Sequence, residues 1–349
     1  MVKTIKIGNK TIGEKQPTFI IAEAGVNHNG RLDLAKKLVD IAAHSGVDAV
    51  KFQTYKAEGV VASNVDSAEY VSKNMGKPID QLKMIKSYEL NYEDFKKIKQ
   101  YCDQKNIIFL STPHSFDAID FLDELVPAFK IGSGDITNIP MLKHIAKKDK
   151  PIILGTGMST LSEVKNTINT IRKQGNDQII ALHCTTNYPC PLEEVNLHAM
   201  ITMQQQLNYL VGFSDHTLST TVPALAVALG AVIIEKHFTT SKKLEGPDHR
   251  ASLEPDELKQ MINEIRNTEK TLGSFDKKPT FSEEKIMSLV RKSIIATQNI
   301  EKGTIINKDM ITIKRPGTGL PPSDYEKIIG KKTNQTISKD EIIKPEMIK

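Results

Sequence analysis

Short apolar runs rich in β-branched residues recur along the chain, each bounded by Gly, Pro or polar turns. Eight stand out, at residues 19–24, 49–53, 107–111, 128–132, 152–156, 179–184, 210–214 and 232–237. Between the first two, Leu32, Leu34, Ala35, Leu38, Val39, Ile41 and Ala42 recur at helical spacing and stop at Gly46. A similar stripe occupies residues 161–171 before Gly175. Eight strand–helix units predict a closed parallel (β/α)8 barrel, an α/β fold of the TIM-barrel type, with a doubly wound open sheet as the alternative. The position of the polar residues favours the barrel. Nearly every run ends in chemically unusual groups: Glu23, Lys51 with Gln53, Ser111-Thr112, Lys130 with Ser133, Thr156, residues 183–188, Ser214-Asp215-His216, and residues 235–237. Barrel closure gathers such ends at one mouth, whereas an open sheet strings them along a line.

Ahead of the first run, Ile5 and Ile7 alternate with polar residues around Gly8-Asn9, which predicts a β-hairpin and no secretory leader. The barrel pattern fades near Gly273, giving a catalytic barrel over residues 1–273 and a polar linker over 274–287 that contains Pro279. Residues 288–349 form a small β-rich domain with an internal near-repeat. Ile300, Lys302, Ile305, Ile306, Met310 and Ile311 are matched at identical spacing by Ile337, Lys339, Ile342, Ile343, Met347 and Ile348. A domain of this size has a marginal core and is expected to lean on another surface.

Composition narrows the class. The chain has 39% hydrophobic and 26% charged residues, the balance of a soluble globular protein. Its excess of 47 Lys plus Arg over 42 Asp plus Glu is spread thinly, without the basic, aromatic-interleaved runs of a nucleic-acid binder. No apolar stretch is long enough to suggest a membrane span. Three irregularly spaced cysteines, Cys102, Cys184 and Cys190, predict neither a disulfide framework nor a zinc knuckle, and a reducing cytoplasm is the plain expectation.

The candidate chemistry lies at the strand ends. His216 and His237 close the seventh and eighth runs, and neighbouring strands lie about 4.8 Å apart, so both imidazoles can reach one point. Two such ligands with open positions suit an octahedral divalent ion, Mn²⁺ above all, with Mg²⁺ or Co²⁺ as substitutes; two histidines hydrogen-bonded in a polar cleft are the alternative. Lys51 and Lys130 sit inside the apolar runs AVKFQ and AFKIG, and alternation puts Lys51 and Gln53 on the face opposite Val50 and Phe52. Buried lysines need an anion or a carboxylate. With Thr112 and Ser133 nearby they form either a phosphate and carboxylate site or internal pairs with Glu23 or Glu235.

Taken together, IAEAGVNHNG (21–30), VKFQTYKAE (50–58), FLSTPHSFDA (109–118), FKIGSGD (129–135), ILGTGMS (153–159), LHCTTNYPCP (182–191), GFSDHT (212–217), IEKHFT (234–239), GPDHRASLEPDEL (246–258) and KRPGTG (314–319) resemble the sialic acid synthase (N-acetylneuraminate synthase) family, legionaminic acid synthases included. The resemblance covers almost the whole chain. It implies a barrel that binds phosphoenolpyruvate and a divalent metal, followed by an antifreeze-like (SAF, β-clip) domain that covers the mouth of a partner chain in a domain-swapped homodimer. Carried over by motif, the metal ligands are His216 and His237. The phosphoenolpyruvate contacts are Lys51, Thr112, Lys130, Ser133 and Ser214, with Thr186 where other members carry Asn. The sugar contacts are Glu23, Gln53, Tyr188 and Asp248, with Arg315 supplied by the partner. Gly155 stands where some members have a phosphate-binding Ser, and Asp135 replaces the commoner Glu after GSG.

The implied reaction condenses phosphoenolpyruvate with N-acetylmannosamine to give N-acetylneuraminic acid and phosphate by C–O cleavage. The nearest rival is the same reaction on 2,4-diacetamido-2,4,6-trideoxymannose, giving a legionaminic acid. An aldol-type synthase acting on a sugar phosphate is disfavoured by the C-terminal domain and by the lack of a second phosphate cluster. A carbohydrate- or ice-binding protein is disfavoured by a tail rich in Lys and Glu.

Overall fold

A computed structural model describes residues 4–63, 65, 71–72 and 80–349; the first three residues of the N-terminal hairpin pattern lie outside them. The chain divides into two compact units, Met1–Gly273 and Ser274–Lys349.

In the first unit, β1 (Thr4–Ile7) and β2 (Lys10–Gly13) form the expected antiparallel hairpin, with Gly8 at a positive φ of 58° in its turn. All eight expected strands follow: β3 (Phe19–Gly25), β4 (Ala49–Thr54), β5 (Ile108–Pro113), β6 (Phe129–Ile131), β7 (Ile152–Gly155), β8 (Ile179–Cys184), β9 (Leu210–Asp215) and β10 (Ile233–His237). They form one sheet in the order β5-β4-β3-β10-β9-β8-β7-β6, and the end strands β5 and β6 run side by side, so the sheet closes into a (β/α)8 barrel. Helices form where the apolar stripes predict them. Leu32–Ser45 ends on Gly46 at a φ of 84°, and Leu161–Arg172 opens with a capping box between Thr160 and Glu163.

Alternation along each strand builds two separate cores. Val50, Phe52, Phe109, Phe129, Ile152, Leu154, Val211, Phe213 and Ile234 face outward and pack with the helices. Ile21, Ala49, Leu110, Ala128, Ile153, Ile180, Leu182, Leu210 and Ile233 face inward, and Ile5, Ile7 and Ile12 of the hairpin pack against them. The hairpin thus plugs the bottom of the barrel. Two residues further along, the inward positions become Glu23, Lys51, Thr112, Lys130 and Glu235, so the charged layer stands directly on an apolar floor.

The second unit begins with a correction. Residues 281–287 belong to a helix, Phe281–Val290, instead of the expected linker. The cap signal beside Pro279 is real: a capping box between Thr280 and Glu283 starts the helix there. Beyond it, β11 (Ser293–Ala296) and β12 (Ile311–Lys314) pair antiparallel. The near-repeat folds as a pseudo-two-fold. Ile300 and Ile337 pair with each other through reciprocal backbone hydrogen bonds of 2.8 Å. The offset that carries Ile300 onto Ile337 also carries the Ile305–Lys332 bridge onto the Ile342–Ile295 bridge. It likewise carries the Thr297–Met310 backbone bond onto Asn334–Met347. The symmetry-related pairs Ile300 with Ile337 and Ile306 with Ile343 form the core of this unit. Equivalent truncations should therefore be equally damaging: Ile300→Ala and Ile337→Ala are each expected to destabilise this unit by about 2–4 kcal/mol. Hydrogen exchange of its amides in the full chain measures both.

Candidate functional site

The barrel mouth contains a cleft of about 170 Å³ lined by strand-end residues from around the barrel. Its charges are locked together. Lys51 Nζ lies 2.8 Å from Glu23 Oε2 and 3.5 Å from Glu235 Oε2, and donates to Thr112 Oγ1 at 3.1 Å. Lys130 Nζ lies 3.5 Å from Glu235 Oε1, which accepts from Ser214 Oγ at 2.9 Å. Both lysines and both glutamates are buried. The internal Lys–Glu pairing weighed above is thus present, and both lysines remain on the wall of the cleft.

Burial pushes the Glu23 carboxyl up to about 7, against the pull of Lys51 and with the help of Glu235. Burial also opposes ionisation of Glu235, yet Lys130 and Lys51 outweigh it and hold that group at about 2. Two lysines thus face one firmly ionised carboxylate and one that gives up its charge near neutrality. Whenever Glu23 is protonated, the floor is net positive, which favours an anion.

The two histidines stand above this layer with ring centroids 5.6 Å apart. His216 Nδ1 lies 2.6 Å from the Thr185 carbonyl, which can only accept, so Nδ1 carries the proton and Nε2 is left with its lone pair. His237 Nδ1 is buried with no hydrogen-bond partner among the described residues, and Asp248 Oδ2 lies 3.9 Å from it. Desolvation lowers the pKa of both rings, to about 4 for His216, and keeps them in the neutral form that ligates. Burial raises Asp248 to about 6. Tyr188 packs against His216 at 4.1 Å and edge-on to His237 at 5.4 Å. Gln53 donates to Glu23 Oε1 at 3.3 Å. Gly25, at a φ of 52° beside a register shift, lets β3 bend here; a Cβ would meet the His237 ring at 3.4 Å.

Ser133, Thr186 and Cys184 gather around the loop after β7. Gly157 N donates to Ser133 Oγ at 3.0 Å and to Cys184 Sγ at 3.1 Å. A Cβ on Gly155 would stand 3.1 Å from Ser133 Oγ, so the glycine leaves room for the Ser133 hydroxyl to approach this loop. The Thr186 hydroxyl is buried with no hydrogen-bond partner among the described residues. Asp135 turns toward His114, at 3.6 Å.

The structure therefore brings Glu23, Lys51, Gln53, Thr112, Lys130, Ser133, Thr186, Tyr188, Ser214, His216 and His237 around one cleft, with Asp248 beside His237. Arg315 belongs to the second unit, where its Nε donates to the Val290 carbonyl at 3.1 Å. Sequence reasoning gave no ligand-binding role to Glu235, which it placed at the mouth only as a possible internal partner of the lysines, and none to His114 or Cys184; all three line the cleft. Glu235 was detectable, since it lies two residues before His237 on one strand and so shares its face.

A closed (β/α)8 barrel with a charged, lysine-bearing floor and a polar rim, followed by a small β unit, defines the class. Residues 38–277 match the NeuB family and residues 291–349 the SAF domain. The chain is 46% identical over 330 residues to the N,N'-diacetyllegionaminic acid synthase of Campylobacter jejuni, covering 94% of this chain and 99% of that protein. It is also 46% identical over 336 residues to the protein of that name from Legionella pneumophila, covering 95% and 94%. A crystal structure of the N-acetylneuraminic acid (sialic acid) synthetase of Leptospira borgpetersenii matches with a TM-score of 0.72 at 35% identity, covering 82% of this chain and 95% of that one. This chain belongs to the NeuB family of sialic acid synthases.

A buried histidine near the rim gives a pH prediction. His28 accepts from Gly30 N through Nδ1, and burial lowers its pKa from 6.5 to about 4, with His249 adding to the shift. The unfolded chain binds this proton first, so the stabilisation is complete above pH 6.5 and is lost as pH falls toward 4. Between pH 7.5 and 5 the loss should be about 2 kcal/mol from this residue. Thermal melts of the metal-free chain should show a smaller fall over that range for His28→Gln than for wild type.

Proposed function

We propose that this chain condenses phosphoenolpyruvate with an N-acylated mannosamine-type sugar, releasing phosphate and a sialic-acid-type sugar acid. The observation that carries this reading is the buried Lys51–Glu235–Lys130 array at the end of a blind cleft, with two neutral imidazoles above it. As acceptor we favour 2,4-diacetamido-2,4,6-trideoxymannose, because the two relatives at 46% identity are named for legionaminic acid. N-acetylmannosamine, the first expectation, is the second reading and is supported by the Leptospira neighbour at 35%.

In this mechanism Lys51 and Lys130 bind the carboxylate and phosphate of phosphoenolpyruvate, with the hydroxyls of Thr112, Ser133, Thr186 and Ser214 completing the cradle. Its methylene carbon attacks the aldehyde of the open-chain sugar, water adds to the former enol carbon, and phosphate leaves by C–O cleavage. Glu23, poised near neutrality, handles a proton or orients the sugar, and Gln53, Tyr188 and Asp248 hold the sugar hydroxyls. His216 Nε2, which carries no proton and has only the Ser214 hydroxyl within 3.4 Å, and His237 Nδ1, without a hydrogen-bond partner among the described residues, fit a divalent ion such as Mn²⁺, with Mg²⁺ or Co²⁺ as substitutes. When bound, such an ion supplies Lewis-acid polarisation of the aldehyde oxygen.

The active form in this proposal is a homodimer in which Arg315 reaches the partner's mouth. Exposed apolar residues on both units support it: Met158, Leu192, Leu218 and Leu244 in the loops after β7 to β10, and Phe281, Ile286 and Leu289 on the helix Phe281–Val290.

Phosphate release from phosphoenolpyruvate should require both sugar and Mn²⁺ and be fastest with the diacetamido sugar. Release without any sugar would overturn the reading, while a preference for N-acetylmannosamine would select the second one. His237→Ala should lose activity beyond rescue by added Mn²⁺, and Lys130→Met should raise KM for phosphoenolpyruvate at least about tenfold. Arg315→Ala and His237→Ala chains, each inactive alone, should regain activity when mixed, read by the same assay.

A further inference from the structure

Lys236 is the one residue between Glu235 and His237, and it points the other way. Alternation along β10 turns it outward between Ile234 and Phe238, into the apolar layer between barrel and helices, where its side chain has no exposure. A cation buried there needs full compensation. Among the described residues, its ammonium bonds only to one short segment. Nζ donates to Asp215 Oδ2 at 2.6 Å, to the Thr217 carbonyl at 2.5 Å and to the Ser219 carbonyl at 3.2 Å, with Thr217 Oγ1 at 3.4 Å. Asp215, equally buried, accepts from Thr217 N at 2.9 Å and from Thr217 Oγ1 at 3.1 Å.

That segment carries His216 at its centre, so the bonds grip the backbone on both sides of the imidazole. The ring is held by the Thr185 carbonyl, and the His216 carbonyl accepts from Cys190 N at 2.8 Å. Lys236 adds the missing direction. It ties the loop after β9 to β10, the strand that presents His237, and so couples the two rings through one ion pair. A pair serving only the fold has cheaper apolar equivalents in this layer, since replacing a buried pair by neutral groups is often harmless to stability.

We infer that Lys236, acting through Asp215 and the Thr217 and Ser219 carbonyls, is a positioning residue that fixes the separation and aim of His216 relative to His237. The inference rests on the reading that these two histidines hold a divalent ion. Outer partners that orient metal-binding side chains typically change affinity by about 10–100-fold when removed.

The test uses the full chain and Mn²⁺ as the probe, with binding followed by the loss of the free Mn²⁺ paramagnetic resonance signal and folding by thermal melts. The double variant Lys236→Met/Asp215→Asn removes both charges but keeps an acceptor for Thr217 N. It should melt close to wild type, bind Mn²⁺ about 10–100-fold more weakly, and lower kcat while KM for phosphoenolpyruvate stays within about twofold. A folded double variant with wild-type Mn²⁺ affinity overturns the positioning role. Should the double variant fail to fold, Thr217→Val leaves both charges in place and removes the hydroxyl that joins Asp215, Lys236 and Ser219 N. It should weaken Mn²⁺ binding by about threefold or more, and unchanged affinity would overturn the inference. Wild-type chain that binds no Mn²⁺ overturns the metal reading itself, and this inference with it.

Discussion

Burying Lys51 and Lys130 a few ångströms from Glu23 and Glu235 is the constraint around which the barrel is organised. An ion taken out of water costs several kcal/mol, and the cost is offset only if partners arrive in good geometry. Here the partners come from β3, β4, β6 and β10, so the register of the closed sheet has to be right all round. Below this layer Ile21, Ala49, Leu110, Ala128 and Ile233 shut out water, and the hairpin isoleucines close the end. Above it the imidazoles remain neutral because they too are desolvated. The dry environment that makes the charges costly also makes each of them strong toward a ligand.

Much of this was legible in the chain. Each barrel strand was visible as a β-rich apolar run, and Lys51 and Lys130 stood out because a cation inside such a run is anomalous. His216 and His237 could be placed on adjacent staves by counting. Glu235 was harder to assign. The string IEKH was placed at the mouth as a whole, but period two sends only Glu235 to the cleft and turns Lys236 to the helix layer. Which face is which depends on where the strand enters the barrel, a long-range property that local pattern leaves undetermined. Cys184 and His114 stand two residues beyond the inward Leu182 and Thr112, so period two points both at the cleft, but neither residue type is anomalous enough there to mark a site.

The C-terminal unit was read half correctly. Its near-repeat was visible as spacing, but spacing does not say whether two copies stack or exchange strands. They exchange: the backbone bonds of one copy are completed by the other, with Ile300 and Ile337 meeting at the pseudo-axis. Neither half could therefore satisfy its own edge, which is how so few residues sustain a core. The helix Phe281–Val290 escaped notice because its first turn is polar and follows a proline.

The hairpin plug also governs traffic. A barrel stoppered by Ile5, Ile7 and Ile12 is a blind well whose charged layer is reached from the rim. In the reaction proposed above, whatever settles against Lys51 and Lys130 enters ahead of anything that sits beside Tyr188 and Asp248, and waits for it on the way out. Sequence of addition and of departure is then set by depth alone. An excess of the upper occupant would act as a cork, slowing the enzyme by arriving too early.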